Sequence, residues 1–464
     1  MPYNAPEGTA DMLPAVARLW RSTTETAAKL FAAYGYEPID TPIFEMTEVF
    51  TRGIGEATDV VGKEMFTVRS GENYKRALAA GSDEGLKSKQ KLSLRPEGTA
   101  GVVRAVVQHN LVEQGAAPAK LFYAGPMFRA ERPQKGRLRQ FHQIGVECLG
   151  ATEPTADAEM IIMLMRFYET MGVPRQNMRL LINSMGDDAC RPAYRESVRQ
   201  FILDHEDEMC EECRRRAETN PLRAFDCKNE TCSHVMEAAP KITDNLCDDC
   251  RTHYEAVKAL LDAAGISYIE DPTLVRGLDY YTRTVFEVQV TEGMGSQSAI
   301  GGGGRYDKLS ESVGGRPTPG LGFALGFERM VLALEAAGAL GESAKRVDGY
   351  VACVDNSVRA AAFDLVCAAR DAGLCVEMDH QGKSLKSQFK MADKANARVV
   401  IVLGPDELSQ GKARIRNMRN HAEKLVDIAA AKRLLSQFGG QRVGGASSPV
   451  NIDTVFSFEN DDKE

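Results

Sequence analysis

The sequence predicts an α+β core built on an antiparallel sheet flanked by helices, carrying a helical insertion and followed by a C-terminal α/β domain. Three observations carry that prediction. Strand-like segments recur at 64–69, 92–94, 121–124, 141–149, 179–183, 284–290 and 298–300, several joined by short turns rather than helices, which is the pattern of antiparallel pairing. From about Cys190 to Ser267 the texture becomes helical, charged and cysteine-rich between two strand-rich regions, as an insertion would. Beyond the Gly/Ala-rich run Ala337–Lys345, the pattern becomes strand Gly349–Val354, helix 357–372, strand 374–378, helix 384–396 and strand 398–403. That βαβαβ alternation indicates a small α/β domain.

Taken in order, residues 14–35 read as a helix with Pro14 early and Gly35 at its end, and with Leu19, Trp20, Thr23, Ala27, Leu30, Phe31 and Tyr34 along one stripe. A strand from Tyr36 to Phe44 follows; Pro38 and Pro42 place part of it at an edge or interface. The chain then divides into a core at 1–189 and 268–335, the insertion at 190–267, the α/β domain at 346–433, and a Gly/Ser-rich acidic tail at 436–464 with the composition of disorder.

A chain of 464 residues with 43% hydrophobic and 26% charged residues reads as globular. No run approaches the length of a membrane span, which excludes a membrane protein of the helical kind. The start, Met1-Pro2-Tyr3-Asn4-Ala5, lacks a secretory pattern, so the expectation is a cytoplasmic protein. A net charge of −8 excludes a protein that coats nucleic acid over its whole surface, but leaves room for one basic face. Residues 346–433 hold 15 Lys/Arg against 11 Asp/Glu, a local +4, and are the better candidate for an RNA face.

Eleven cysteines without an export signal do not suggest a disulfide framework. Six lie between 210 and 250, as Cys210-x-x-Cys213, Cys227-x4-Cys232 and Cys247-x-x-Cys250. The two CxxC pairs have the spacing of a structural four-cysteine zinc site, with Cys227 and Cys232 as replacements for either pair.

Four segments carry chemistry. Between Arg129 and Arg139 the chain places five basic side chains and one acid on the loop of a hairpin, with Pro133 and Gly136 at the turn; arginine there suits bidentate phosphate contacts. Ser93–Ala100 sets Glu97 and Thr99 on a turn after a short strand, a pairing that can bind an ammonium group. Leu274–Glu287 presents Arg276, Tyr280, Tyr281 and Arg283 just before a strand. Ala299–Asp307 holds Gly301 to Gly304 in a row, which lets backbone approach a ligand closely. None is a P-loop, and Gly320-x-Gly322-x3-Gly326 is not a dinucleotide fingerprint because Arg316-Pro317-Thr318-Pro319 precedes it. That run opens onto a helix delivering Arg329, so arginines must supply the charge for any nucleotide.

These segments together resemble the class II aminoacyl-tRNA synthetases, and among them the histidyl-tRNA synthetases. The basic hairpin resembles motif 2 of the class, Gly320–Leu334 motif 3, and Pro14–Phe44 motif 1, the dimer interface; Leu274–Glu287 and Gly302–Asp307 resemble the two segments specific to the histidine enzymes. The resemblance implies ATP-dependent ligation of histidine to its cognate tRNA through a histidyl-adenylate, with ATP carrying Mg²⁺, in a homodimer whose C-terminal domain binds the anticodon. It implies Arg129 on the α-phosphate, Glu131 beside the adenine or a metal, Arg329 on the γ-phosphate, and Arg276 stabilising charge on the α-phosphoryl group. Glu97, Thr99 and Gln143 would bind the amino group of histidine, Glu147 and Tyr281 its imidazole, with Tyr280 and Tyr306 in the same pocket. Arg132, Lys135, Arg137 and Arg139 would face the tRNA acceptor stem, and the cysteine insertion, folded by its metal, would lean on the acceptor arm. A synthetase-like regulatory subunit of histidine biosynthesis would be expected to lack the C-terminal domain and these arginines.

Overall fold

Pro14 occupies the first turn of α1 (Pro14–Ala32), where its missing N–H is no loss, and the helix buries Thr23, Ala27 and Phe31. The computed structural model describes residues 3–55, 58–81, 86–113, 117–290, 293–294, 298–340 and 347–429, in two compact units divided at residue 341. The expected tail at 436–464 lies outside the described residues.

The strand expected from Tyr36 to Phe44 is not continuous. It is split into β1 (Glu37–Pro38), which joins the main sheet, and β2 (Phe44–Met46), which pairs elsewhere. Pro38 and Pro42 lack the donors a continuous ladder needs. After α2 (Thr47–Ile54) come β3 (Thr67–Val68), α3 (Gly71–Ala80), β4 (Leu92–Leu94) and α4 (Thr99–His109); β2, β4 and β3 form a small antiparallel sheet. The basic segment joins β5 (Ala119–Phe128) to β6 (Gln140–Leu149), ten residues each, paired without interruption from Ala119↔Leu149 to Phe128↔Gln140. Gly136, at φ 76°, makes the turn.

Next come α5 (Pro154–Met171) and β7 (Met178–Ser184), then four helices with no strand between them: α6 (Arg191–Asp204), α7 (Glu211–Thr219), α8 (Glu230–Glu237) and α9 (Asp248–Ala263). The chain returns to the sheet as β8 (Ile269–Glu270), β9 (Thr282–Val290) and β10 (Ala299–Arg305), passes α10 (Leu309–Ser312), and closes with β11 (Gly320–Gly326) and α11 (Phe327–Ala336). The main sheet has the order β1-β5-β6-β11-β10-β9-β7-β8. Its inner six strands are antiparallel; the two-residue strands at its edges pair in parallel. The run Gly320–Gly326, not among the strand-like segments expected from sequence, is itself an inner strand between β6 and β10. Its glycine at 322 faces the carboxylate of Glu147, which any Cβ would strike.

One apolar layer packs α1, α5, α9 and α11 on this sheet, with Phe31, Leu164, Phe167, Val257, Leu261, Phe286 and Phe323 inside it. Phe31 meets Phe122, Phe167 and Phe323 at ring-centroid distances of 5.8, 5.7 and 6.0 Å; truncating such a ring to alanine costs about 3–5 kcal/mol. The last helix of the cysteine-rich segment therefore buries its apolar face in the main core. Arg305, at the end of β10, is also buried, paired with Asp157 and donating to the Ala151 carbonyl at 2.7 Å. It clamps β10 to α5.

The second unit contains β12 (Gly349–Cys353), α12 (Arg359–Asp371), β13 (Val376–Met378), α13 (Leu385–Lys394), β14 (Val399–Leu403), α14 (Pro405–Ser409), β15 (Lys412–Asn417) and β16 (Glu423–Asp427). The sheet order is β13-β12-β14-β15-β16, parallel for the first three strands and antiparallel for the rest. β12 and β14 are buried along their whole length because helices cover both faces. No helix among the described residues is long and apolar enough to cross a membrane.

Candidate active site

A cavity of about 210 Å³ lies over β10 and β11, against the basic hairpin loop. Its floor is made possible by glycine. A Cβ on Gly302 would lie 3.0 Å from Arg276 Nη1, and one on Gly304 2.9 Å from the Tyr281 ring. The glycine row thus lets Arg276 and Tyr281 lie directly on the sheet.

Four arginines line the cavity: Arg129, Arg137, Arg276 and Arg329. Arg129 follows β5 directly; its Nε donates to the Pro96 carbonyl at 2.9 Å and its guanidinium sits 5.3 Å from the Phe141 ring centroid. Arg329, in the first turn of α11, donates from Nε to the Gly136 carbonyl at 3.2 Å and from Nη1 to the Ala299 carbonyl at 2.9 Å. It thereby ties the hairpin loop to β10. Burial, then the like charges of Arg137 and Arg129, lower its pKa. Converging cations held at that cost form a preorganised site for a polyanion. Arg276 is half-buried and paired with Glu287; desolvation works against its charge, and Glu287 with the two tyrosines outweighs it, so its pKa is raised. Its Nε has no hydrogen-bond partner among the described residues. Glu131 lines the cavity too, 2.6 Å from Arg137 and 3.7 Å from Arg129.

A second group of side chains is acidic and hydroxylic. Glu97 accepts the backbone N–H groups of Thr99 at 2.7 Å and Ala100 at 2.9 Å, capping α4, and burial raises its pKa against those bonds. Glu97, Thr99, Gln143, Tyr280, Tyr281 and Tyr306 all line the cavity. The side-chain oxygen of Gln143 is buried without a partner among the described residues. The ring of Tyr280 packs against Tyr281 at 4.6 Å and Tyr306 at 5.6 Å.

Glu147 departs from the sequence expectation. It does not line the cavity but lies fully buried beneath it, accepting from Thr99 Oγ1 at 2.7 Å and from the phenol of Tyr306. Burial pushes its pKa up to about 8, against the two hydroxyl donors. On β6 it pairs directly with Gly322 of β11, so the two share one face of the sheet, and the absent Cβ of Gly322 leaves room for its carboxylate.

The four basic residues expected together on the acceptor stem separate. Arg132 and Lys135 are exposed at the loop tip. Arg137 turns into the cavity onto Glu131. Arg139 is engaged by the N-terminal segment and its own loop: Nε donates to the Glu131 carbonyl at 3.2 Å and Nη1 lies 3.8 Å from the Glu7 carboxylate. A Cβ on Gly8 would strike its side chain, so the two pack tightly.

The cysteines also regroup. Cys210 and Cys213 do not meet Cys247 and Cys250. Among the described residues, Cys210, Cys213, Cys227 and Cys232 form one cluster and Asp187, Cys190, Cys247 and Cys250 another, with all ligand atoms of each within 4.8 Å. The reason is local. Cys210 and Cys247 precede different helices, α7 and α9, and the return of the chain through α8 brings Cys227 and Cys232 onto the first pair. The Cys210 and Cys227 sulfurs are 3.8 Å apart.

Sequence reasoning missed the roles of Glu287, which holds Arg276 and accepts from Gln289 at 2.8 Å, and of Glu328, which accepts the His142 N–H at 3.0 Å. A charged Glu287 flanked by buried Phe286 and Val288 on β9 was the available signal.

With this geometry in hand, the comparisons agree with one another. A family model described as histidyl-tRNA synthetase matches residues 8–330, and an anticodon-binding-domain model matches 348–437. A histidine--tRNA ligase of Halothermothrix orenii is 46% identical over 429 residues, spanning 92% of this chain and 98% of that one. One of Anaeromyxobacter sp. is 44% identical over 430 residues, spanning 92% and 98%. The apo histidyl-tRNA synthetase of S. aureus superposes with a TM-score of 0.76 at 34% identity, covering 94% of this chain and 100% of that one.

Proposed function

The chain belongs to the histidyl-tRNA synthetase family, and from that premise we propose how its residues divide the work of joining histidine to tRNA. The activity is histidine--tRNA ligation, an aminoacyl-tRNA synthetase reaction. The observation that carries the division is the meeting in one cavity of converging arginines and a buried acid–hydroxyl group.

In our reading ATP enters as its magnesium complex, with Arg129 on the α-phosphate, Arg329 and Arg137 on the outer phosphates, and Glu131 near the adenine. The ammonium group of histidine meets Glu97, Thr99 and the unpartnered Gln143 oxygen. Its imidazole lies among Tyr280, Tyr281 and Tyr306, with Glu147 orienting the Tyr306 phenol from below and taking up charge as the imidazole binds. The histidine carboxylate then attacks the α-phosphorus in line; the bond to the bridging oxygen breaks and pyrophosphate leaves. Arg276 faces the charge that develops there, held by Glu287. No side chain forms a covalent bond; the protein supplies orientation and fixed charge. In the second step a terminal ribose hydroxyl of tRNA attacks the aminoacyl carbonyl and releases AMP. A pocket that hydrogen-bonds both imidazole nitrogens rejects amino acids lacking them by about 10⁴–10⁵, which makes editing unnecessary.

For the rest of the molecule, we propose that Arg132 and Lys135 touch the acceptor stem and that the 346–433 domain reads the anticodon. The cysteine-rich segment holds a structural zinc on Cys210, Cys213, Cys227 and Cys232 and leans on the acceptor arm. A homodimer through the motif 1 region is supported by the exposed apolar side chains of Val16, Ile43, Phe44 and Met46, and we place the protein in the cytoplasm. The test is ATP–pyrophosphate exchange with each of the twenty amino acids in the absence of tRNA. Exchange with histidine alone is the expected result; folded protein that exchanges with none would overturn the assignment of the arginines.

A further inference from the structure

Asp187, Cys190, Cys247 and Cys250 form a cluster that the synthetase reaction does not use. Asp187 lies in the turn after β7, Cys190 immediately precedes α6, and Cys247 and Cys250 bracket the first turn of α9. Each of Cys190 Sγ and Cys247 Sγ is 3.7 Å from Asp187 Oδ1. A tetrahedral zinc with Zn–S near 2.3 Å and Zn–O near 2.0 Å separates sulfur from oxygen by about 3.5 Å and sulfur from sulfur by about 3.8 Å. The cluster is already close to those spacings, with all four ligand atoms within 4.8 Å of one another.

The surroundings are built to hold it. Cys190 and Cys250 are buried, and the thiols lie at the starts of α6 and α9. The Asp187 N–H donates to Cys190 Sγ at 3.5 Å, which holds that sulfur against the turn. Asp187 turns Oδ1 to the thiols while Oδ2 accepts from Arg283 Nη2 at 3.2 Å, so its orientation is fixed from outside the cluster. Gly186, at φ 63°, permits the closure: a Cβ there would lie 2.7 Å from Cys190 Sγ. Arg283 adopts φ 47°, a strained conformation for a side-chain-bearing residue, and is locked to the same turn by N–H donation to Gly186 O at 2.8 Å and acceptance from Met185 N–H at 2.6 Å.

We propose that Asp187, Cys190, Cys247 and Cys250 bind a second divalent metal ion, of the zinc class, independent of the four-cysteine cluster. The ion joins the turn after β7 to the starts of α6 and α9. Through Arg191, whose Nη1 donates to the Tyr281 carbonyl at 2.6 Å, the same turn braces the histidine pocket. An ordinary thiol cluster or a disulfide is the competing reading.

Metal analysis of the full-length protein, prepared anaerobically with reductant and zinc, tests it. Two zinc ions per chain are expected, falling to one in Cys247→Ser and separately to one in Cys227→Ser. Should Cys247→Ser not fold, cobalt substitution of the unaltered chain decides: two loading steps are expected, the thiolate charge-transfer band of one step about three-quarters that of the other, for three sulfurs against four. A single equivalent that Cys227→Ser abolishes, or a wild-type mass lowered by two hydrogens with a bridge among Cys190, Cys247 and Cys250, overturns the second site while leaving the first standing.

Discussion

The phenol of Tyr306 donates to the carboxylate of Glu147 beneath the cavity wall, and both groups are buried. The pair sets the electrostatics of the layer below the substrate. A carboxyl whose pKa stands at about 8 in the folded chain is ready to carry a proton near neutral pH.

The linkage has a defined sign. The folded pKa of Glu147 lies above its unfolded value, so the stabilisation belongs to the protonated form, is fully present below about pH 4.5, and is lost as pH rises through about 8. Stability from this residue should fall by at most ~1.4 kcal/mol per pH unit across that window. Glu147→Gln should flatten the melting temperature between pH 6 and 8.5 relative to the parent, and raise the KM for histidine more than that for ATP. Parallel melting curves for the two proteins would show that the carboxyl does not titrate there.

Arg276→Ala should lower the rate of adenylate formation by about 10²–10³, the scale for removing one preorganised donor to a developing charge. Glu287 is left without its cation by this change and keeps only its bond from Gln289, so the double variant Arg276→Ala/Glu287→Gln should be more stable than the single one and no more active. Single-turnover adenylate formation with melting curves for all three proteins checks both statements, and an unimpaired Arg276→Ala would remove that arginine from the reaction.

The hairpin loop predicts a split among its basic residues. Arg132→Ala and Lys135→Ala should leave pyrophosphate exchange unchanged, raise the KM for tRNA, and lower the salt dependence of tRNA binding by ~1 per charge removed. Arg137→Ala should instead raise the KM for ATP, because its side chain faces the cavity and Glu131. Arg139→Ala should act through the fold, lowering the melting temperature as the Glu7 and Glu131 contacts are lost. Equal effects of all four on tRNA alone would contradict this arrangement.

Ile43, Phe44 and Met46 stand exposed beside β2, with exposures of 45, 52 and 38%. Phe44→Asp should convert the proposed dimer to monomer in sedimentation or light scattering, with little loss of secondary structure. A parent chain that is already monomeric at micromolar concentration would place the apolar strip outside any dimer contact.

Much of this was legible from the chain. The arginines at 129, 276 and 329 could be found because such residues beside strand ends and glycine runs have few roles in packing, and the cavity indeed gathers them. Helix α1 and the long hairpin followed from periodicity and turn residues. What escaped depended on contacts between distant segments. Whether Cys213 meets Cys227 or Cys247 is decided by how α7 and α8 fold back, which CxxC spacing does not contain. The resemblance implied Glu147 on the imidazole but said nothing of its depth; the glycine opposite it on β11 leaves room for its carboxylate to lie buried. Gly320–Gly326 hid its strand because the small residues that suit a crowded inner position also suit a turn.

The glycine row of β10 bears on how this enzyme could change over evolutionary time. Where a pocket floor is made of side chains, substitutions can reshape it by small steps, and specificity can drift. Here the floor is main chain, fixed by pairing with β9 and β11 on both sides, and the smallest addition at Gly302 collides with the Phe286 carbonyl, 2.5 Å away. On the proposed division of the site, routes to a new amino acid run through the tyrosines and the residues behind them. The platform itself has almost no mutational neighbours.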